Sequence, residues 1–233
     1  MPITDTKSPV TVCACVSRKI MNKPEVIRLT SALENSGYEV TIVPDLCKIA
    51  ISNEEQMTSI ANTAIVACYP RAIKSIFDSR ELNPKRIFDI RNQSSEQVLN
   101  EMGITQPVVS SELPFPEFPP DNEAEAWYPS IDKERCTDCG KCHDFCLFGV
   151  YSLDSSGTVK VVQPQNCKNN CPACARVCPS KAIIFPKYEK SPVNGGLHDE
   201  EQMSETDVKT LSNNALKLKL AERRANVSLL KKD

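Results

Sequence analysis

The sequence predicts two folded parts in tandem: an α/β part with a small parallel sheet flanked by helices, then a smaller α+β part, with an amphipathic C-terminal helix after them. Three observations carry this. Residues 10–103 alternate β-rich runs with helix-periodic ones in the order β-α-β-α-β-α-β-α, the pattern of parallel strands joined by crossovers. Eight of the twelve cysteines then fall within residues 136–178, among short strand candidates. The last stretch, Ser204–Lys232, shows helical periodicity without a domain of its own.

In the first part, expected over residues 1–106, Val10 to Val16 is a β-rich run, and Pro24 to Ser36 places Val26, Leu29 and Leu33 on one helical face. Gly37 stands where a helix would stop, and Tyr38 to Val43 reads as the next strand. Glu54 to Asn62 reads as helix and Thr63 to Tyr69 as an apolar strand, after which Pro70 suits the first turn of another helix. Arg86 to Ile90 is a fourth strand and Glu96 to Met102 a closing helix.

Residues 107–130 hold six prolines and five acidic residues with no lysine or arginine. Proline denies such a stretch both helix and central strand, so an extended, semi-rigid tether is expected over 107–126. It could wrap a partner through Phe115, Phe118 and Trp127 or serve as a solvated linker. The second part, 127–188, has short strand candidates at Tyr128–Ile131, Val150–Leu153, Val159–Val162 and Ala182–Phe185. From Lys187 the composition predicts a loop leaving that core. In the final helix, within 189–233, Val208, Leu211, Ala215, Leu218, Ala225 and Leu229 share a face interrupted by Glu222, with Ser204 as candidate N-cap. Such a stripe has to be buried, and docking on another subunit or a second copy of the chain is the expected use.

Composition excludes several functions. A formal net charge of -2 over 233 residues argues against nucleic acid as a partner. The seven glycines, at 37, 103, 140, 149, 157, 195 and 196, permit neither G-x-G-x-x-G nor a Walker A loop, so no flavin or nucleotide site of the usual kinds is expected. No run approaches membrane-spanning length and the N-terminus lacks a signal pattern, which predicts a cytoplasmic, soluble protein. Cysteines this numerous in that compartment point to metal rather than to disulfides.

The eight clustered cysteines form two runs, Cys136-x2-Cys139-x2-Cys142-x3-Cys146 and Cys167-x3-Cys171-x2-Cys174-x3-Cys178, the second closed by Pro179. Structural zinc would want two separated C-x2-C pairs around one ion. Disulfides suit C-x2-C loops poorly. The runs resemble the bacterial two-cluster ferredoxins over about residues 127–188, with one residue added in the second run. That resemblance implies two [4Fe-4S] clusters in a ferredoxin-like fold, with the fourth cysteine of each run crossing to the other cluster. Cluster I would take Cys136, Cys139, Cys142 and Cys178, and cluster II Cys167, Cys171, Cys174 and Cys146. Two departures stand out. Leu147 replaces the usual proline and is expected to cover a cluster with apolar surface, and Lys168-Asn169-Asn170 enlarges the loop at cluster II. Arg135, Lys141, Lys168 and Arg176 beside the ligands are expected to raise the potentials somewhat. His143 is expected at the surface.

Four cysteines remain. Cys13 and Cys15 lie in or just after the first strand, Cys47 follows the second, and Cys68 ends the third. Strand ends of a parallel sheet share one edge, where ligands usually bind, although cysteines are also common as small buried apolar residues. The pattern Cys13-Ala14-Cys15, Leu46-Cys47, Ala67-Cys68-Tyr69-Pro70-Arg71, Leu82-Asn83-Pro84 and Ile90-Arg91-x-Gln93 resembles the small N-terminal domain that precedes the flavin domain in the flavin-bearing component of heterodisulfide reductase, over about residues 8–103. The resemblance implies a third [4Fe-4S] cluster on Cys13, Cys15, Cys47 and Cys68. Where relatives commonly have a further cysteine, this chain has Ser94, and the family's flavin domain has no counterpart here.

No catalytic residue is assigned. The expected role is an iron–sulfur electron-transfer subunit of a larger redox complex, its partners a flavoprotein, a molybdenum/tungsten or thiol–disulfide oxidoreductase subunit, or ferredoxin. The alternatives are an enzyme subunit whose N-terminal cluster does disulfide or substrate redox chemistry, and a redox-sensing protein.

Overall fold

Strand β1 (Val10–Cys13) lies at the middle of a four-stranded parallel sheet, between β2 (Val40–Val43) and β3 (Ala64–Ala67), with β4 (Arg86–Asp89) on the far side of β3. Every residue of β1 is buried, Thr11 included, as expected of a central strand covered on both faces. The computed structural model describes residues 9–18, 20–104 and 125–196. The expected tether, apart from its last two residues, and the amphipathic stretch Ser204–Lys232 lie outside the described residues.

Helix α1 (Lys23–Asn35) buries Val26, Leu29 and Leu33 as its period requires. Its end follows from Gly37, whose φ of +81° lets the amides of Gly37 and Tyr38 turn back to the carbonyls of Glu34 and Leu33. Helix α2 (Leu46–Ser52) was not expected: seven residues with two β-branched isoleucines carry too little period to read. Asp45 starts it by accepting the Lys48 amide at 3.3 Å. Asn53 then ends α2 and caps α3 (Glu54–Ala61), accepting the Gln56 amide at 2.9 Å. Helix α4 (Pro70–Asp78) opens on proline as expected, and α5 (Ser95–Glu101) opens on a reciprocal Ser94–Gln97 capping box.

Glu25 ties α1 to α5. Its carboxylate accepts the Ser95 amide at 2.6 Å, and that bond holds its pKa below the ordinary 4.5. A pKa lowered by folding contributes stability above the unfolded value and loses it as the pH falls below. Glu25→Ala is therefore expected to cost about 1.5 kcal/mol at neutral pH, the low end for a hydrogen bond to a charged acceptor. The difference from wild type should shrink as urea unfolding is repeated from pH 7 down to pH 3.

In the second part, β5 (Ser130–Ile131) pairs antiparallel with β8 (Ile183–Ile184), and β6 (Tyr151–Leu153) pairs antiparallel with β7 (Val159–Val161). Each pair falls inside its predicted window. Two five-residue helices, α6 (Lys141–Phe145) and α7 (Ala173–Val177), each lead into the last cysteine of a run. Trp127 stacks on Phe185 at 5.2 Å between ring centroids.

The two parts pack on one another. Helix α4 lies at the join: the hydroxyls of Ser75 and Ser130 meet at 2.6 Å, Arg71 pairs with Asp132 at 2.5 Å, and Lys133 donates to the Asp78 carbonyl at 2.7 Å. Residues 187–196, read as a loop leaving the core, instead lie against the first part. Arg91 donates to the carbonyls of Pro186 and Tyr188 at 3.0 and 3.1 Å, and Lys187 and Asn194 are buried. Among the described residues no helix is long and apolar enough to cross a membrane.

Candidate metal centres

The strand order β2-β1-β3-β4 reverses direction between β1 and β3, and the crevice beyond the carboxyl ends of strands at such a reversal is where open α/β sheets bind ligands. All four N-terminal cysteines stand at that edge. Cys13 ends β1 and Cys15 follows two residues later, in the left-handed region at φ +46°, an uncommon conformation for a residue with a β-carbon. Cys47 lies in the first turn of α2, and Cys68 comes directly after β3. Each is under a tenth exposed.

Burial and neighbouring charge hold all four as thiols. Burial lifts Cys13 to about 11, with the Asp45 carboxylate adding to it. Cys15 is pushed up by burial and then by Cys13 and Asp45, with Cys68 contributing. Burial raises Cys47 well above its usual range, and Cys68 and Cys15 push the same way. Cys68 reaches about 12, from burial and then from Cys13. Thiols raised in this way need added positive charge to become thiolates, as bound metal would supply. The Leu46 amide, 3.4 Å from Cys13 Sγ, already donates to this site.

A buried lysine completes the surroundings. Lys187, from the second part, is 3 % exposed and donates to Ser17 Oγ at 2.8 Å and Asp45 Oδ2 at 2.5 Å. Ser17 follows Cys15 by two residues and Asp45 precedes Cys47 by two. Burial opposes charge on Lys187, but the negative charge of Cys47 and Asp45 outweighs it and raises its pKa. The sequence held no sign of this residue's role, because a lone lysine in a loop reads as a solvated one.

In the second part, Cys146, Cys167, Cys171 and Cys174 line one cavity of about 210 Å³, together with Pro129, Phe145, Leu147 and Tyr151. One of these cysteines belongs to the first run and three to the second. Cys167 is driven to about 12 by burial and then by Cys174, Cys171 and Cys146. On the other side, burial and then Cys178 and Cys136 raise Cys142 to about 11. Cys146 thus stands with the first three cysteines of the second run, and Cys178 lies near Cys136 and Cys142 of the first. Burial also works against ionisation of Cys178, yet donors from Ser180, Ala182 and Ile183 outweigh it and lower its pKa. Cys139 is exposed.

Local structure sets the loops. Gly140, at φ +71°, takes the left-handed turn that starts α6. Asp138 accepts the Val159 amide at 3.0 Å, pinning the first loop to β7. Tyr151 donates to Cys174 Sγ at 3.1 Å, a contact that sequence reading missed; an aromatic alternating into a half-buried strand was the available signal. Leu147 lines the cavity but is 91 % exposed, so it screens that site from one side rather than covering it. Arg135 turns toward Asp132 at 3.8 Å and Arg176 toward the Tyr188 hydroxyl at 3.4 Å, so neither charge acts on the cysteines alone. His143 lies beside Asp144, partly exposed.

Among the described residues no three histidine, cysteine, aspartate or glutamate side chains stand close enough to share one metal ion. A four-iron cube asks for a wider set, because each thiolate takes a different iron. The quartet Cys146, Cys167, Cys171 and Cys174, gathered around one cavity, fits that group in number and chemistry.

No family model matches the chain. An uncharacterized ferredoxin of Methanocaldococcus jannaschii is 43 % identical over 82 residues, 35 % of this chain and 54 % of that protein, so the chain spans about half the length of this relative. The pyruvate synthase subunit PorD of the same organism is 36 % identical over 62 residues, 27 % of this chain and 70 % of its own length. Ferredoxin-3 of a Nostoc species is 32 % identical over 84 residues, covering 27 % of this chain and 86 % of that protein.

Proposed function

The chain belongs to the ferredoxin family, and we propose that it is an iron–sulfur electron-transfer subunit of a larger cytoplasmic redox complex, relaying electrons through three [4Fe-4S] clusters. The observation that carries this is the crossed quartet, Cys146 set beside Cys167, Cys171 and Cys174 around one cavity. Cluster I would be held by Cys136, Cys139, Cys142 and Cys178, cluster II by Cys146, Cys167, Cys171 and Cys174, and the third by Cys13, Cys15, Cys47 and Cys68. Each cluster, when bound, takes up and gives back a single electron.

The chain's own residues hold the thiolates, exclude water and set the potentials. At cluster I, the hydroxyl and amide donors around Cys178 stabilise its thiolate. At cluster II, Phe145, Leu147 and Phe148 line one side of the cavity with apolar side chains that water also reaches, while Val150 and Tyr151 line it from the buried side. Tyr151 donates to the Cys174 sulfur. Donors to a ligand sulfur favour the more negative, reduced state. Tyr151→Phe is expected to lower the potential of cluster II with little change at cluster I, as read by redox titration of the two EPR signals.

Burial of all four N-terminal thiols supports a relay site over one that meets a substrate. The likeness to a pyruvate synthase subunit supports a multi-subunit oxidoreductase as the partner. Iron and acid-labile sulfide analysis of anaerobically prepared protein tests the reading. About twelve iron per chain is expected for three cubes, and about eight would remove the N-terminal one. A colourless protein without an EPR signal on reduction would sink it altogether.

A further inference from the structure

We infer that electrons cross between the two parts by way of cluster II, over a junction made by Cys167, Trp127 and Arg18; this rests on the three-cluster reading above. The observation is an asymmetry in packing. Of the eight cysteines in the second part, Cys167 is the one that packs against both apolar cores, and the first of these cores contains Cys13, Cys15, Cys47 and Cys68. Trp127 joins the same two regions. It belongs to the core around the second part's cysteines, and it lines a narrow gap together with Cys47. The indole N–H of this buried ring has no hydrogen-bond partner among the described residues. Tyr128, the next residue, donates to the Cys47 carbonyl at 2.8 Å.

Arg18 fixes the junction from the other side, three residues after Cys15. Its guanidinium lies over the Trp127 ring at 5.0 Å, pairs with Glu125 at 2.5 Å and donates to Asn170 Oδ1. Asn170 sits in the enlarged loop between Cys167 and Cys171, in the left-handed region at φ +59°. The enlarged loop thus carries a contact with the first part. Arg71 makes a second bridge, to Asp132 and the Lys181 carbonyl near the cluster I ligands. That bridge is polar, and no cluster I cysteine packs against the first core. Electron tunnelling weakens steeply with distance and is faster through packed atoms than through space, and Cys167 is the cysteine of the second part in packing contact with both cores, so the route runs through it. The step moves one electron: cluster II is oxidised by one, the N-terminal cluster is reduced by one, and no bond forms or breaks. Arg18 is a positioning residue here.

The experiment uses the full chain, reconstituted without oxygen, with iron counted first. In the fully reduced protein, the N-terminal cluster's EPR signal is expected to show spin–spin broadening that disappears in Cys167→Ser and persists in Cys136→Ser. The opposite pattern overturns the route. Iron near eight per chain with no N-terminal signal sinks the underlying reading instead. Because ligand replacements also loosen the fold, Arg18→Met gives a second arm. It should keep its full iron content and the ferredoxin-cluster potentials, while reduction of the N-terminal cluster after flash reduction of the ferredoxin pair slows, because the junction loses the contacts of Arg18 with Trp127 and Asn170. A merely structural role would lower the melting temperature and leave that rate unchanged, and an unchanged rate overturns the inference.

Discussion

Replacing Lys187 with methionine is expected to empty the N-terminal site of iron and to destabilise the chain by about 3–5 kcal/mol, the range for removing one partner of a buried ion pair. The lysine and Asp45 are both almost wholly shielded from water, with side chains 2 % and 5 % exposed. Without the ammonium group, the Asp45 carboxylate would be left buried between Cys13, Cys15 and Cys47, where it already opposes thiolate formation. At about 2–4 °C per kcal/mol for a chain of this size, the melting temperature should fall by on the order of ten degrees. The double variant Asp45→Asn/Lys187→Met removes both charges and should recover a large share of the loss, since two neutral groups avoid the stranded carboxylate. A single variant as stable as wild type, with its iron intact, would show that the pair is not what holds this join together.

Cys146→Ser should remove the iron of cluster II, and Cys178→Ser that of cluster I, although each residue lies in the other cluster's run. The expectation follows from the crossing. Cys146 shares its cavity with Cys167, Cys171 and Cys174, and Cys178 raises the pKa of Cys142 and Cys136. In each variant the iron count should fall from about twelve toward about eight, or to a three-iron cluster if serine leaves one corner open. Redox titration then identifies which signal has gone. The Tyr151→Phe shift gives the marker, because it belongs to the cluster touched by Cys174. Loss of the marked cluster in Cys178→Ser, rather than in Cys146→Ser, would mean that the quartets are not crossed.

Much of the fold could be read in advance because its signals are local. The strand and helix order of the first part came from periodicity, and Gly37, Pro70 and the run beginning at Arg86 marked boundaries close to those observed. Helix α2 escaped because a seven-residue helix held by its Asp45 cap and by packing leaves almost no periodic trace. The course of residues 187–196 escaped for a related reason. A proline- and glycine-containing stretch reads as a departing loop unless the partner it folds onto is known, and here that partner includes Arg91, far away in sequence. Leu147 was expected to shield a cluster and proved largely solvent-facing, since residue type tells nothing of which way a side chain turns.

By itself the sequence determined the cysteine runs, their kinship with ferredoxins and the α/β order of the first part, because spacing and period are properties of neighbouring residues. Tertiary structure alone decided that a lysine distant in the chain is buried beside Asp45 near the N-terminal cysteines, and that Cys167 packs against both cores. Those are contacts between elements far apart in sequence, and they are chosen by which surfaces exclude water together.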